Sequence, residues 1–278
     1  MDRKKQAAKD KKLKRKEELA RKQSIDDAVK AAAAKAAPIE EFPLFLKYDR
    51  NGLNLYMEAG RGDSLSPPVK QYIQTLLKIN MEGPYGPEEW PAEEKTKRRE
   101  MVSSEARYIL VKQASSSSSG EASGEAAASN DLLWNGEGDP IVAFVHYRFV
   151  VEHEVPALYV YEIQVEKVVQ GKGLGKFLMQ FLELVARKNA MKAVLLTVQK
   201  RNVGAMAFYT GKLKYTIAAI SPSRWPNTLV GVDMTYEILC KAFDADAKSI
   251  LEVPKHRMVT FDMIRTELDI AEKELLKR

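Results

Sequence analysis

The order of elements predicted in the second half of the chain indicates an α/β (α+β) fold with a mixed central sheet flanked by helices. Two strands are expected at residues 141–151 and 157–166, and a glycine-rich turn and a helix over 174–189 follow them. The run 192–198 is mostly apolar, which is typical of a buried central strand. A short helix at 202–212, a strand starting at 215–217 and a late strand at 232–239 complete the predicted sheet.

The first half of the chain contributes weaker signals. Large apolar residues alternate loosely with polar ones over 44–56, around a turn signal at 49–52. The sequence Ser-Pro-Pro at 66–68 opens a predicted helix, and a second helix, dense in Glu, Lys and Arg, is expected at 92–101. The segment 108–111 is predicted as a strand. Residues 114–130 are rich in Ser, Gly and Ala, and we interpret them as a flexible insert in a hairpin loop rather than a domain linker.

The glycine-rich turn lies where a strand ends and an amphipathic helix begins. Leu174, Phe177, Leu178, Phe181 and Val185 recur at helical spacing after it. Glycine lets the backbone curl tightly, and the first N–H groups of a helix have no internal acceptor. The helix dipole adds partial positive charge at that end. The turn therefore predicts an anion site, with phosphate as the usual anion.

The spacing of the glycines excludes two common phosphate loops. A dinucleotide fingerprint needs a third glycine where Lys176 stands, and a P-loop needs Gly-Lys-Ser/Thr after four residues, which is absent. The pattern that remains is Gln170-x-x-Gly173-x-Gly175. An ordinary tight strand-to-helix turn stays open as an alternative.

Composition favours a soluble globular protein of one large or two small domains, since 45% of the 278 residues are hydrophobic and 29% are charged. Cys240 is the only cysteine, so no internal disulfide is possible and a reducing compartment is expected. We expect its thiol to be buried and inert. No apolar run of about 18 residues or signal-peptide pattern supports a membrane or secretory interpretation.

Positive charge is concentrated at the N-terminus. Residues 2–22 hold eleven Lys or Arg against four Asp or Glu, a balance of +7 in a chain of net charge +6, so the remainder sums to −1. The remainder is therefore not expected to be a nucleic-acid-binding domain. Residues 1–37 are predicted as a basic, flexible segment, with a solvated helix that cannot bury a core alone as the other possibility. The segment acts either as a localisation or polyanion-binding patch or as a solvated charge run. Residues 38–240 form the predicted main domain, and 241–278 a helical extension with an amphipathic helix from about residue 260.

Several motifs together resemble the NatD-type histone N-alpha-acetyltransferases of the GCN5-related N-acetyltransferase (GNAT) superfamily. The resemblance covers roughly residues 65–240. Its motifs are residues 80–81, Tyr85, Trp90, 158–166, the glycine loop 170–175, 195–198, Asn202-x-Gly204-Ala205-x-x-Phe208, 221–223 and 236–239. It implies a mixed seven-stranded sheet that parts beside the strand ending near Val165, with acetyl-CoA in the gap. The implied substrates are the N-termini of histones H-four and H-two-A, which begin Ser-Gly-Arg-Gly.

The resemblance also implies how the coenzyme is held. Backbone N–H groups of the glycine loop would bind its diphosphate, the strand end would pair with its pantetheine amides, and one Asn would begin the helix along it. The implied cofactor-binding residues are Ile163, Gln164, Val165, Gln170, Gly171, Lys172, Gly173, Leu174, Gly175 and Asn202. We expect no metal, because His146 and His153 lack metal-ligand spacing with any cysteine.

The implied catalytic residues are Glu162, Tyr161 and Tyr209. The amine to be acetylated has a pKa near about 8, so a base must remove a proton on or before attack. Glu162 matches the carboxylate proposed to do this through water, although a surface Glu paired with a Lys is the alternative. Tyr209 stands where acetyltransferases often place a Tyr that protonates the leaving thiolate, and core packing is an equal alternative.

Aromatic and acidic residues are implied to bind the peptide: Tyr85, Trp90, Glu152, Tyr159, Tyr161 and Tyr236. A second acidic residue of the family pattern is replaced by Val150, which leaves Glu154 and Asp233 as possible substitutes. Backbone N–H groups of the parted strand would stabilise the oxyanion. Carboxylates would suit the cationic Ser-Gly-Arg-Gly tail.

Three functions remain open at this point. The first is transfer of acetyl from acetyl-CoA to histone N-terminal Ser, in the nucleus and cytoplasm, by a monomer. The second is the same chemistry on lysine or other N-termini. The third is a non-catalytic module that binds chromatin or the ribosome. Histone tails are the expected partners, and ribosome or nucleic acid could bind through residues 1–22.

Overall fold

The computed structural model describes residues 2–114, 132–224 and 234–253. Within these ranges eight strands form one mixed sheet, so the predicted fold class is confirmed with one strand more than the resemblance implied. The strands are β1 (Lys47–Arg50), β2 (Leu53–Arg61), β3 (Arg107–Gln113), β4 (Ile141–Glu152), β5 (Val155–Val165), β6 (Ala193–Gln199), β7 (Thr216–Ile217) and β8 (Tyr236–Ala242). Their order across the sheet is β1-β2-β3-β4-β5-β6-β8-β7.

Helices cover both faces of this sheet. They are α1 (Asp2–Ala34), α2 (Pro67–Tyr85), α3 (Trp90–Glu100), α4 (Leu174–Lys188), α5 (Val203–Ala207), which a π-helical turn (Phe208–Lys212) extends, and α6 (Ala245–Leu251). The apolar side of α2 packs with Tyr108 and Phe144 in one cluster, whereas α4 packs with Val145 and Tyr147 in another. Within the described ranges, no helix combines the length and apolar character needed to cross a bilayer.

Strands β5 and β6 form the parallel pair of the sheet, and they part early. Their pairing runs from Ala157 with Ala193 to Val160 with Leu196. Beyond that point β5 continues to Val165 and β6 to Gln199 without pairing to each other. The gap lies beside the strand for which the resemblance implied it.

A β-bulge interrupts the pairing of β4 with β5. His146 lies opposite Glu162 and Tyr147 lies opposite Val160, so Tyr161 is an extra residue in β5. Directly paired residues project from the same face of a sheet. The bulge therefore places Glu162 on the same face as His146, where simple alternation from Tyr159 would have placed it on the opposite one.

The basic N-terminal segment is helical rather than a flexible chain, since α1 spans Asp2–Ala34, and a helix was the other form expected for it. Ala28, Val29 and Ala32, at a spacing of one to four residues, pack against the core, and Arg107 donates a hydrogen bond to the Ala33 carbonyl. The residues from 9 to 24 are exposed. A few small apolar residues in the last turns thus dock α1, while its basic part remains in solvent.

The insert and the C-terminus are only partly covered by the structure. β3 and β4 are antiparallel neighbours, as predicted for strands on either side of an inserted hairpin loop. Nearly all of the insert, and the amphipathic helix predicted from about residue 260, lie outside the described residues. β8 begins at Tyr236 and ends at Ala242, three residues later than the predicted late strand. Cys240 is buried on it, and burial raises the pKa of its thiol to about 11.

Candidate active site

A cavity of about 550 Å³ opens where β5 and β6 part. One wall is β5 from Val160 to Val165, and the opposite wall is β6 from Leu196 to Gln199. The glycine loop and α5 close one end, and α2 contributes Asn80 and Met81. Ten of the predicted site residues line it: Tyr161, Glu162, Ile163, Gln164, Val165, Gln170, Gly171, Gly175, Asn202 and Tyr209.

The glycine loop presents unused backbone donors at the start of α4. Gly171 and Gly173 have φ of +73° and +85°, a left-handed conformation that favours glycine. Among the described residues, no acceptor receives a hydrogen bond from the backbone N–H groups of residues 171–176. The Gln170 side chain instead donates to the Val165 carbonyl at 2.9 Å, which closes the turn without using those donors. The loop thus keeps the anion-binding geometry that its spacing predicted.

Residues from the β1–β2 turn hold this loop from behind. The Tyr48 hydroxyl and the Asn51 amide donate to the Lys172 carbonyl at 2.6 and 2.9 Å. The Leu174 side chain is buried in the core. Lys172, Gly173 and Leu174 do not line the cavity. The sequence contained no signal for this support, because the two partners are more than 120 residues apart.

Glu162 lies on the cavity wall and is engaged by two partners. Its Oε1 forms an ion pair with Lys97 of α3, and its Oε2 accepts a hydrogen bond from Gln164 at 2.8 Å. The Glu162 and Lys97 side chains are only 10% and 12% exposed. Asn80 donates in turn to Gln164 at 3.0 Å. The alternative of a Glu paired with a Lys is thus present, but the pair is buried and borders the cavity.

Lys97 belongs to an aromatic and charged corner formed by α2 and α3. Its ammonium lies 5.5 Å from the centre of the Tyr85 ring, which packs against Trp90 at 5.9 Å. Burial lowers the pKa of Lys97, but the Glu162 carboxylate outweighs this and the net shift is upward. Burial raises the pKa of the Glu100 carboxyl, opposed by Lys97 and Arg148. Tyr85 and Trp90 are buried beside the cavity rather than lining it.

Of the three tyrosines predicted near Glu162, Tyr161 and Tyr209 line the cavity and Tyr159 does not. Tyr161 stacks on His146 at 4.8 Å and has the Arg148 guanidinium 4.4 Å from its ring centre. The Tyr159 hydroxyl shares a hydrogen bond of 2.5 Å with Thr197, and burial raises the pKa of Tyr159 to about 12. Tyr209 is buried at the cavity wall, where burial raises its pKa above the usual value of a tyrosine. Its hydroxyl therefore stays protonated through neutral pH.

The remaining predicted site residues occupy different positions. Asn202 accepts a hydrogen bond from the Ala205 N–H at 3.1 Å and thereby caps α5. Tyr236 lies opposite Gln199, at the end of β6 that lines the cavity, but Tyr236 itself is not part of the lining. Glu152 is half-buried at the end of β4, where burial raises its pKa, and it does not line the cavity. Glu154 forms ion pairs with Arg21 and Lys22 of α1. Asp233, the other possible substitute for the missing acidic residue, lies outside the described residues.

Sequence reasoning missed several residues that the structure brings to the site. Lys97, Thr197, Gln199 and Phe208 had no assigned role, yet Lys97 binds Glu162 and the others line the cavity. Lys97 stands in a helix dense in charges, so nothing in the sequence distinguished it.

No three His, Cys, Asp or Glu side chains in the described ranges lie close enough together to hold a metal ion. His146 is buried between the rings of Tyr108 and Tyr161, with centroid distances of 5.0 and 4.8 Å. Burial lowers its pKa to about 3, helped by Arg148 and Lys97. His146 is therefore a neutral packing residue in this fold.

The chain matches one protein-family model, the Acetyltransferase (GNAT) family, over residues 80–215. Solved structures of similar shape include the PaiA N-acetyltransferase of Thermoplasma acidophilum in complex with coenzyme A, at 14% identity and TM-score 0.42 over 67% of this chain and 99% of that one. Arabidopsis thaliana NAA60 in complex with a bisubstrate analogue matches at 11% identity and TM-score 0.41, over 68% and 99%. Nourseothricin acetyltransferase matches at 16% identity and TM-score 0.34, over 50% of this chain and 66% of that one.

The family match spans the elements that build the cavity, from the end of α2 through β5, the glycine loop and β6 to the π-helical turn. The sheet order and the parted strands agree with this match, and together they show that residues 80–215 have the fold of the Acetyltransferase (GNAT) family model.

Proposed function

We propose that the protein transfers acetyl from acetyl-CoA to the free N-terminal Ser amine of histones H-four and H-two-A, by direct transfer in a ternary complex. The observation that carries the proposal is the single cavity that joins the free amides of the glycine loop to the buried Glu162 carboxylate. A diphosphate bound at one end would place the far end of an extended coenzyme near Glu162.

The part of the cavity between the glycine loop and β5 suits acetyl-CoA. The N–H groups of residues 171–175 and the N-terminus of α4 offer donors and partial positive charge to a diphosphate. Beyond Val160 the edge of β5 has no strand partner on the β6 side, so its amides are available to pantetheine. When bound, acetyl-CoA would supply the thioester whose acetyl group the amine attacks.

Two residues account for the movement of protons. The substrate amine is largely protonated at neutral pH, and Glu162 lies where its carboxylate can accept the proton through water and hold the emerging cation. Tyr209 remains a neutral phenol at the cavity wall and can donate a proton to the leaving thiolate. Both roles require only side chains that line the cavity.

The specificity for a Ser-Gly-Arg-Gly terminus is supported by the surroundings and by the family resemblance. Tyr159 lies on the face of the sheet that carries Glu162, because the bulge in β5 brings Glu162 to that side. Alternation along β4 puts Glu152 on the same face, and Tyr161 packs beside Tyr159 at 5.4 Å. Glycines pass an aromatic slot easily, and a carboxylate attracts the Arg side chain. Arg148 lies on the same face, but Glu105 pairs with it at 3.6 Å.

A peptide assay tests this proposal against its alternatives. A lysine-containing Ser-Gly-Arg-Gly peptide and its N-terminally blocked form are incubated with acetyl-CoA, and products are located by mass spectrometry. Transfer only to the free peptide supports N-terminal specificity. Transfer to both indicates lysine chemistry, and binding without transfer indicates a non-catalytic module.

The basic part of α1 supports a second, independent proposal: anchoring to the ribosome or to nucleic acid. All described side chains between residues 9 and 22 are exposed, and Lys or Arg outnumber Asp or Glu there by eight to three. Phosphate backbones bind such surfaces through release of counterions. We also propose that the protein works in the nucleus and cytoplasm, near its nascent or free histone substrates.

A further inference from the structure

The buried contact between Lys97 and Glu162 joins two parts of the molecule. Glu162 belongs to the sheet, whereas Lys97 comes from α3, which covers that face of the sheet. Both side chains are almost fully buried, and breaking a buried pair leaves an uncompensated charge. A contact of this kind at a cavity wall fixes the position of the carboxylate and compensates a negative charge there.

We infer that Lys97 is a positioning residue for acetyl transfer, which keeps Glu162 ionised and holds its carboxylate at the acceptor end of the cavity. The inference rests on the proposed function. Lys97 donates a hydrogen bond to Oε1 of Glu162, and Gln164 donates one to Oε2. An ionised carboxylate offers about four lone-pair positions, so about two remain for the substrate amine or a bridging water.

Other charged and titratable groups face this pair from each neighbouring element, and none of them replaces Lys97. They are Glu93 and Glu100 on α3, Tyr85 on α2, Tyr108 on β3, His146 and Arg148 on β4, and Tyr209 in the π-helical turn. Arg148 is the other cation among them, and its guanidinium is committed to the Tyr161 ring and to the Glu100 carbonyl at 2.8 Å. Without Lys97, Glu162 would be a buried carboxylate beside acidic neighbours.

The same contact explains why the Lys97 side chain would not itself be acetylated by the coenzyme. The Glu162 carboxylate favours the charged form of Lys97, and the pKa of Lys97 is shifted upward. A protonated ammonium has no lone pair with which to attack a thioester. Lys97 therefore remains a fixed cation at pH values where the substrate amine, with a pKa near about 8, becomes a nucleophile.

The pH profile of kcat/KM tests the inference, using Lys97→Met, which keeps the aliphatic stem, and Lys97→Arg, which keeps the charge. In the wild type, the fall of kcat/KM toward acidic pH should reflect the binding of one proton, by the substrate amine. In Lys97→Met, the fall of kcat/KM toward acidic pH should reflect a second proton, bound by Glu162. The kcat/KM of this variant should be at least about tenfold below wild type at pH 6 and within about threefold of it at pH 9. Lys97→Arg should retain the wild-type profile. A loss in Lys97→Met that is equal at every pH, or no loss, would overturn the inference.

A second measurement is independent of activity. The carboxyl carbon of Glu162, assigned by its absence in Glu162→Gln, is followed by NMR through a pH titration of the full chain with labelled Glu. We expect it to take up its proton at least about one pH unit higher in Lys97→Met than in the wild type. Protonation of wild-type Glu162 above pH 6, or identical titration of folded wild type and Lys97→Met, contradicts the inference. A protein with the expected titration but no acetyl transfer contradicts the proposed function alone.

If Lys97→Met does not fold, the wild-type titration and the Lys97→Arg profile still decide the question. A folded Lys97→Arg whose profile gains the second proton would also contradict a role that depends on charge.

Discussion

Substitution of Gly173 by Ala should weaken coenzyme binding more than it weakens the fold. Gly173 has a φ of +85°, and an alanine in the left-handed region costs about 1–2 kcal/mol. A Cβ at this position would lie 3.0 Å from the Tyr48 hydroxyl and 3.4 Å from the Asn51 amide, the two groups that hold the Lys172 carbonyl. Loss of one such hydrogen bond adds about 1 kcal/mol, for a total of about 2–3 kcal/mol.

Gly138 provides a matched control elsewhere in the molecule. Its φ is +78°, but nothing lies within 4 Å of a Cβ added there, and it does not line the cavity. Gly138→Ala should therefore cost only the backbone strain of about 1–2 kcal/mol. Urea unfolding measures the two costs, and calorimetric titration with coenzyme A measures the dissociation constant of each variant.

The expected binding results separate the two variants. Displacing the loop by a few tenths of an ångström misaligns the amides of residues 171–175, and a loss of about 1.4 kcal/mol corresponds to a tenfold weaker complex. Gly173→Ala should bind coenzyme A at least about tenfold more weakly, and Gly138→Ala should bind it as the wild type does. Wild-type affinity in a folded Gly173→Ala would refute the assignment of this loop as the diphosphate site.

Four further outcomes are expected. Tyr209→Phe should lower kcat by about 10²-fold, which is the lower limit for the loss of a general acid. The dissociation constant of acetyl-CoA, measured by direct titration, should stay unchanged. An unchanged kcat would show that Tyr209 only packs in the core. Glu152→Gln should raise the peptide KM more than it lowers kcat, because Glu152 lies away from the cavity, and equal loss of both would reject it as a peptide contact. His146 is neutral in the fold with a pKa of about 3, below the usual 6.5, so on acidification the unfolded chain binds a proton before the folded one does. The free energy of unfolding should therefore fall as the pH is lowered from 6.5 to 3, by at most about 1.4 kcal/mol per pH unit. In urea unfolding at several pH values, His146→Gln should reduce that slope. Deleting residues 2–16 should reduce the salt-dependent binding of RNA and leave peptide acetylation unchanged; unchanged RNA binding would remove the anchoring role.

Local patterns predicted several elements closely. The apolar spacing after the glycine loop predicted a helix over 174–189, and α4 spans Leu174–Lys188. The apolar run at 192–198 predicted β6, which spans Ala193–Gln199. These elements are predictable because one helical face or one short buried run carries their whole signal. Docking of α1 was missed because it depends on three small residues whose partners are distant in the sequence.

The geometry of the candidate site was predictable where it depends on consecutive residues. The loop from Gln170 to Gly175 combines its spacing, its positive φ angles and its free amides within six positions. The β5 bulge was not predictable, since it exists only in the register of β5 against β4. A period of two assigns Tyr161 and Glu162 to opposite faces, and only the inserted residue brings them to one side.

By itself, the sequence determined an α/β sheet, a strand-to-helix turn able to bind an anion, and a cluster of basic residues at one end. The tertiary structure decided that Glu162 is a buried carboxylate tied to Lys97, and that Tyr48 and Asn51 support the loop. The physical reason is distance along the chain. Turn geometry and helix periodicity act within a few residues, whereas the partner of a buried charge is chosen by the packing of elements 65 residues apart.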